Sequence, residues 1–179
     1  MDGERGDFDE LGDELRQAVG GEFRRTAEED EYAAAKAQLR ARTLEHVAYE
    51  LLARGDTIAV TIGAEIMQGI IVHAKGDLLC LETPAGDRCD VRLGAPAAIH
   101  VVQRATSPGR ARDRFGAESF VARLRELELD EVPVTLVGPM RREPVVGTIA
   151  AVASDHVLLR NDDGEWYLPL AGITAVSVR

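Results

Sequence analysis

Four histidines, two cysteines and a run of arginines are the side chains of this 179-residue sequence whose types invite a chemical reading. A histidine serves as general acid, general base or metal ligand only when a partner is held within hydrogen-bond or ligand reach. His46, His73, His100 and His156 fall one to each predicted element and form no cluster, so they are expected to be ordinary surface or strand residues. The sequence contains no G-x-x-x-x-G-K-[ST] phosphate loop, no H-E-x-x-H zinc helix and no G-x-S-x-G nucleophile elbow. Carboxylates are abundant near the N-terminus, but that segment is expected to be too mobile for the fixed geometry that acid–base chemistry needs. The expectation is a non-enzymatic chain with no catalytic residues, no cofactor, no metal site and no evident small-molecule substrate.

Cys80 and Cys89 are too few for a disulfide framework and lack the spacing of a zinc site. They flank one predicted hairpin with Gly86 at its bulge position. Residue 81 then opposes residue 89 and residue 80 opposes residue 90, which sends the two thiols to opposite faces of the sheet. Reduced thiols are expected, with Cys89 in the core opposite Leu81. The arginines are Arg104, Arg110, Arg112 and Arg114, opposed in that stretch only by Asp113. Such a patch suits phosphate contacts, each adding salt-dependent affinity. No aromatic residues are interleaved to stack bases, so the preferred reading is a charged linker or a docking strip for the acidic arm.

The acidity of the chain is local. Residues 1 to 31 hold twelve Asp or Glu against four Arg, which accounts for −8 of the formal net charge of −10. Everything from Tyr32 onward is close to neutral, so nothing in the charge balance alone calls for nucleic acid. No apolar run reaches the roughly 20 residues that span a bilayer, and the first residues are acidic where a secretion signal would be basic and then apolar. A cytoplasmic protein without membrane contact is expected.

These side chains hang on elements legible from periodicity. Residues 1–25 read as an acidic flexible arm. The Thr26 and Glu29 pair resembles a capping box, and with no Pro or Gly before Gly55 it predicts one long helix, roughly Ala27 to Arg54. From Asp56 the apolar period falls from 3.6 to 2. Strands are expected near Thr57–Ile62, Met67–Ala74, Leu78–Glu82, Arg88–Leu93 and Ala98–Gln103, so residues 26–103 form a helix plus a first β module. Residues 104–117 read as the basic linker. Residues 118–179 repeat the plan, with a helix near Ser119–Leu127 and strands near Pro133–Val137, Val145–Val152, His156–Arg160, Glu165–Leu170 and Ile173–Val178.

The two halves are an internal repeat. Thr61-Ile62 corresponds to Thr135-Leu136, while Gly69, Asp77, Leu79, Leu81 and Gly86 correspond to Gly147, Asp155, Val157, Leu159 and Gly164. A helix followed by five short strands, seen best in Val132-Pro133-Val134-Thr135-Leu136, Gly147-Thr148-Ile149, Asp155-His156-Val157-Leu158-Leu159 and Trp166 through Ile173, resembles an Sm-like or SH3-like small barrel. The resemblance implies a mainly β fold: two tandem five-stranded barrels, each preceded by a helix, behind the acidic arm. The stretch from Trp166 also resembles an uncharacterised actinobacterial family sometimes labelled as Fis-type regulators, although this chain ends in strands and not in the helix-turn-helix such a label requires. Sm-like RNA binders place an Asn in the third-strand region and a basic residue before a Gly near the last turn. Here those places read Leu79 and Val157, then Arg92-Leu93-Gly94 and Leu170-Ala171-Gly172, so only the first copy keeps the basic residue.

The hairpin register argument, carried to the second copy, places Val157, Leu159, Tyr167 and Pro169 on one face and Leu158, Trp166 and Leu168 on the other. The second face is expected to be buried under the preceding helix through Phe120 and Leu124, or to form an interface between modules or subunits. The function expected is that of a binding or assembly module acting through protein–protein contacts or self-association, with Leu158, Trp166 and Leu168 at the interface. The alternative is an RNA- or DNA-associated regulator using Arg104, Arg110, Arg112 and Arg114, masked by the acidic arm.

Overall fold

The computed structural model describes residues 28–107, 116–139 and 143–178. The arm expected over residues 1–25, the Thr26 cap, and Arg110, Arg112 and Arg114 lie outside the described residues. The chain divides into two compact units, Met1–Arg42 and Thr43–Arg179. The described part of the first is a helix over residues 28–41, α1, exposed along its whole length, with Lys36 Nζ 5.8 Å from the centroid of the Tyr32 ring.

The single long helix expected to reach Arg54 is interrupted at residues 42–43. Thr43 is extended (φ −92°, ψ 164°) and caps a separate helix, α2 (Leu44–Arg54). Its hydroxyl accepts the His46 N–H at 3.3 Å, while His46 Nδ1 accepts the Thr43 N–H at 3.2 Å. A threonine that satisfies the free amides of a new helix competes with continuing the old one. His46 thereby acquires a structural role.

The described residues of the second unit hold ten strands: β1 (Thr57–Ile62), β2 (Glu65–Lys75), β3 (Leu78–Glu82), β4 (Arg88–Arg92), β5 (Ala98–Gln103), β6 (Pro133–Val137), β7 (Val145–Val152), β8 (His156–Asn161), β9 (Gly164–Pro169) and β10 (Ala175–Val178). Helix α3 (Phe120–Asp130) precedes β6, and a 3-10 turn (Leu170–Gly172) precedes β10. The strands form one antiparallel sheet in the order β5-β1-β2-β3-β4-β10-β6-β7-β8-β9. This corrects the expectation of two closed five-stranded barrels. A barrel closes only when its outer strands pair with each other. Here β4 does not close on β5 but pairs with β10, in the register Ala175–Val91 to Val178–Arg88, while β10 gives its other edge to β6. The mainly β character stands, but the halves share one open ladder.

The repeat is visible in geometry. Thr43 and Ser119 cap α2 and α3 through their side chains, and Gly55 and Glu131 end them in the left-handed region at φ 75° and 52°. Ala48 and Leu51 occupy the places of Leu124 and Leu127. The second and third strands of each half cross where glycine is required: a Cβ on Gly69 would stand 2.3 Å from the Glu82 carbonyl oxygen, and one on Gly147 would stand 2.4 Å from that of Arg160. Both ladders slip at matching places, between Ile71 and His73 and between Ile149 and Ala151. Gly69 opposes Ile58 and Gly147 opposes Val134, so Val60 corresponds to Leu136, two residues away from the Ile62–Leu136 match drawn from sequence.

The last hairpins differ. In the first half Leu81 opposes Cys89 and Cys80 opposes Asp90, as expected, with Gly86 (φ 88°) in the turn. In the second, Asn161 opposes Gly164 and only Asp162-Asp163 turn the chain. That loop is one residue shorter, and a one-residue change moves every following side chain to the other face. Trp166 and Leu168 therefore oppose Leu159 and Val157, whereas Tyr167 opposes Leu158. The faces expected for the second copy are corrected accordingly.

Two cores result. One gathers Ala48 and Leu51 of α2 with Ile58, Val60, Leu79, Leu81, Cys89 and Val91, and takes in Ala175 from the second half. The other gathers Phe120, Leu124 and Leu127 of α3 with Val134, Leu136, Val157 and Leu159, and takes in Val72, Leu78 and Cys80 from the first half. The thiols are free, buried and on opposite sides of β3–β4. Burial, with the Asp90 charge beside it, pushes the Cys89 thiol up to about 12, and the same causes raise Cys80, so neither presents a reactive thiolate.

Polar contacts lock the shared ladder. Asp90 on β4 is fully buried; its carboxylate accepts Arg88 Nε at 3.1 Å and Arg123 Nε, from α3, at 2.7 Å. Arg92 donates to the Leu170 and Ala171 carbonyls at 2.8 and 3.1 Å and lies 6.0 Å from the Phe120 ring centroid. The basic residue singled out by the Sm-like resemblance thus holds the 3-10 turn to β4.

Two substitutions probe this frame by urea unfolding. Gly147→Ala drives a methyl into the Arg160 carbonyl and is expected to cost about 2 kcal/mol. Arg123→Met leaves Asp90 with one of its two arginines and is expected to cost about 3 kcal/mol, whereas replacing an exposed arginine such as Arg160 costs far less.

Candidate functional site

The six-residue strand β9 pairs with β8 along one edge, and no described strand pairs with the other. Trp166 and Leu168 turn inward from β9 and pack, half-buried, against the core that contains Val157, Leu159, Phe120 and Leu124. Trp166 Nε1 donates to Asn161 Oδ1 at 3.2 Å. The same oxygen accepts the Asp163 N–H at 3.0 Å, and Asn161 Nδ2 donates to the Val146 carbonyl at 2.9 Å. One side chain thus ties the two-residue turn, the indole and β7 together, which fixes the indole in one orientation.

Beside this edge lies a groove of about 260 Å³, walled by the end of β6, Val145, the inward side chains of β9, and Ile173. Its floor depends on close backbone approach. A Cβ on Gly138 would stand 1.8 Å from the Gly172 carbonyl oxygen, so no larger residue fits there without displacing the 3-10 turn. The lining is mainly apolar, and Glu143 is its one charged side chain among the described residues. Apolar walls beside unpaired backbone donors and acceptors suit an extended peptide, which gains main-chain hydrogen bonds from the edge and side-chain pockets from the groove.

The outer face of β9 carries Tyr167, which is 63% exposed. Its hydroxyl donates to Glu165 at 3.2 Å, and its ring centroid lies 5.8 Å from that of His156. His156 Nδ1 is 2.6 Å from Asp155, and this contact holds the Asp155 carboxyl below the usual carboxylate range. The cluster is open to solvent on a strand face, with no enclosed space to exclude water from a reacting group.

Of the interface residues drawn from sequence, the structure brings Trp166 and Leu168 together in the groove and leaves Leu158 on the opposite face beside Tyr167. Tyr167, Val145, Ile173 and the Gly138–Gly172 approach were missed. The short Asp162-Asp163 loop was the available signal for Tyr167; the glycine contact joins distant segments and left none.

Of the arginine patch, Arg104 alone lies within the described residues. It is exposed just after β5, in a recess shared with Arg54, Asp56 and Ser107. Asp56 is buried there. Its carboxylate accepts the Ala105 N–H at 2.9 Å and Arg54 Nε at 2.8 Å, tying the end of α2 and the start of β1 to the chain after β5. The Ala105 amide, then Arg54 and Arg104, hold this carboxyl below its ordinary value of 3.8. A known anion thus already sits beside the described part of the patch.

Among the described residues no helix is long and apolar enough to cross a membrane, and no three or more His, Cys, Asp or Glu side chains gather as metal ligands would. The Asp56 contacts stabilise the folded state in full above the ordinary carboxylate pKa and lose that contribution as pH falls through the lower folded value. Asp56→Asn is therefore expected to lower the urea midpoint at pH 7 and to bring it progressively closer to that of the parent protein below pH 4; a gap that stays constant with pH contradicts the assignment.

No protein-family model matches the chain, and no curated protein matches it.

Proposed function

We propose that the protein is a non-catalytic assembly module whose second half receives an extended strand of a protein partner along the β9 edge. The observation that carries this reading is that a strand edge with which no described strand pairs coincides with an apolar groove, in which Trp166 is already held in place by Asn161. A guest strand there covers apolar surface and satisfies exposed backbone groups at once, with little ordering of the host. Contact with RNA or DNA through Arg104, Arg110, Arg112 and Arg114 is the weaker reading, because Arg104 shares its recess with the Asp56 carboxylate and β9 offers a peptide edge in place of a base-stacking platform.

Site-specific photo-crosslinking in the source cell tests this. A benzophenone amino acid replacing Tyr167 is expected to yield protein adducts, while the same probe at Leu129, which is also exposed but lies away from the groove, yields few. Equal labelling at both positions, or none at position 167, contradicts the docking reading. Nuclease-sensitive adducts at position 104 support the nucleic-acid reading instead.

A further inference from the structure

We infer that the strand seated on β9 is β5 of a second copy of this chain, joined head to tail. The inference rests on the docking reading above and names its partner. Its template is the junction inside the molecule. Strand β9 is the repeat equivalent of β4, with Trp166, Tyr167 and Leu168 in the places of Cys89, Asp90 and Val91. Strand β5 is the equivalent of β10: Ile99 opposes Val60 as Val176 opposes Leu136, and Ala98 takes the place of Ala175. Since β10 pairs with β4, the same operation places β5 of the next copy on β9, with Ala98 opposite Leu168, Ile99 opposite Tyr167 and Val101 opposite Glu165.

Three independent features fit that register. The first is exposure. At the internal junction Asp90 and Phe120 are 0% exposed, whereas their equivalents at the two ends of the repeat, Tyr167 and Leu44, are 63% and 46% exposed. An incoming α2 over β9, placed as α3 is over β4, covers both. Val47, the counterpart of Arg123, then stands over Tyr167, so an apolar pair replaces the Arg123–Asp90 ion pair. Asp77, which accepts the Phe120 N–H at 2.8 Å across the junction, has its equivalent in exposed Asp155, placed to accept the Leu44 N–H.

The second feature is the groove. In the first half, Val60, Cys89 and Val91, with Met67 packed against them, belong to the core that Ala175 enters from β10, opposite Val91. In the second half their equivalents Leu136, Val145, Trp166 and Leu168 line open space, which Ala98 of the next copy fills. The third is charge. Continuing the register past Val101 carries Arg104 to the Asp162-Asp163 turn, an attraction that salt should weaken. Each copy offers one β5 and one β9 edge, so the contact is heterologous and repeats into a ring or an open chain.

Analytical ultracentrifugation of the full chain over a concentration series tests this with two exposed substitutions, Tyr167→Asp on the β9 end and Ala98→Asp on the β5 end. The parent protein is expected to sediment above the mass of one chain and to shift with dilution. Each variant alone is expected to associate at least about thirtyfold more weakly. An equimolar mixture, which retains one intact junction, is expected to form one-to-one heterodimers and nothing larger; their formation also shows that both variants fold. A parent protein that remains a single chain at every concentration overturns the inference, as does an assembly indifferent to both substitutions, or one that a single substitution disrupts and mixing does not restore. A single-chain parent whose Tyr167 probe crosslinks to a different protein overturns self-association while leaving the docking function in place.

Discussion

The pairing of β10 with β4 is the constraint on which the rest of the second unit depends. A strand has two edges, and β10 uses both, one on β6 and one on β4. Once β4 is occupied it does not close the first half into a barrel, so the sheet stays open and its ends fall at β5 and β9. The junction is also where both cores cross the repeat boundary: Ala175 enters the first, and Val72, Leu78 and Cys80 enter the second. This explains a strand such as β3, buried along four consecutive residues, Leu78 to Leu81, because cores lie on both of its faces. Asp90 sits at the same place, and a buried carboxylate is tolerated only while its arginines remain. Since Arg123 comes from α3, that pairing links the helix of the second half to the first half.

The two halves share a scaffold and differ in what covers it. Matching caps, matching glycines at the strand crossing and matching ladder slips show that the backbone plan is repeated closely. The departures gather where one half meets the other. Asp90 gives way to Tyr167, Cys89 to Trp166 and Phe120 to Leu44, so residues fully or nearly fully buried at the internal junction have half-buried or exposed counterparts at the ends, and the ion-paired Asp90 has an aromatic one. In a repeat built only for stability, terminal elements tend to be polar caps that stop further stacking. A tyrosine-bearing edge beside an open apolar groove is the opposite arrangement, and it is why the site is read as a docking edge.

Elements of the described second unit were largely legible from residue order alone. The change from a 3.6-residue to a 2-residue apolar period at Asp56, the glycines of the turns and the repeat signal are local, and they placed β1, β3, β5, β6 and β7 at or near their observed positions. The break at Thr43 was missed because no proline or glycine marks it; it rests on a reciprocal bond between Thr43 and His46. The facing of Trp166 was missed because matching turn glycines concealed a loop one residue shorter. A strand's period of two amplifies such an error into a full reversal of faces.

By itself the order of residues determined the β-rich character of the second unit, its duplication, the free and separated thiols, and the register of the first hairpin, all consequences of side-chain periodicity and turn chemistry over short stretches. Only the tertiary structure decided that the halves join through β4 and β10, that Trp166 and Leu168 flank a groove, and that no described strand pairs with the outer edges of β5 and β9. Strand edges meet through backbone N–H and C=O groups, which are the same in every residue but proline, so the choice of edge partner is written in no short motif and emerges only when distant segments compete for the same ladder.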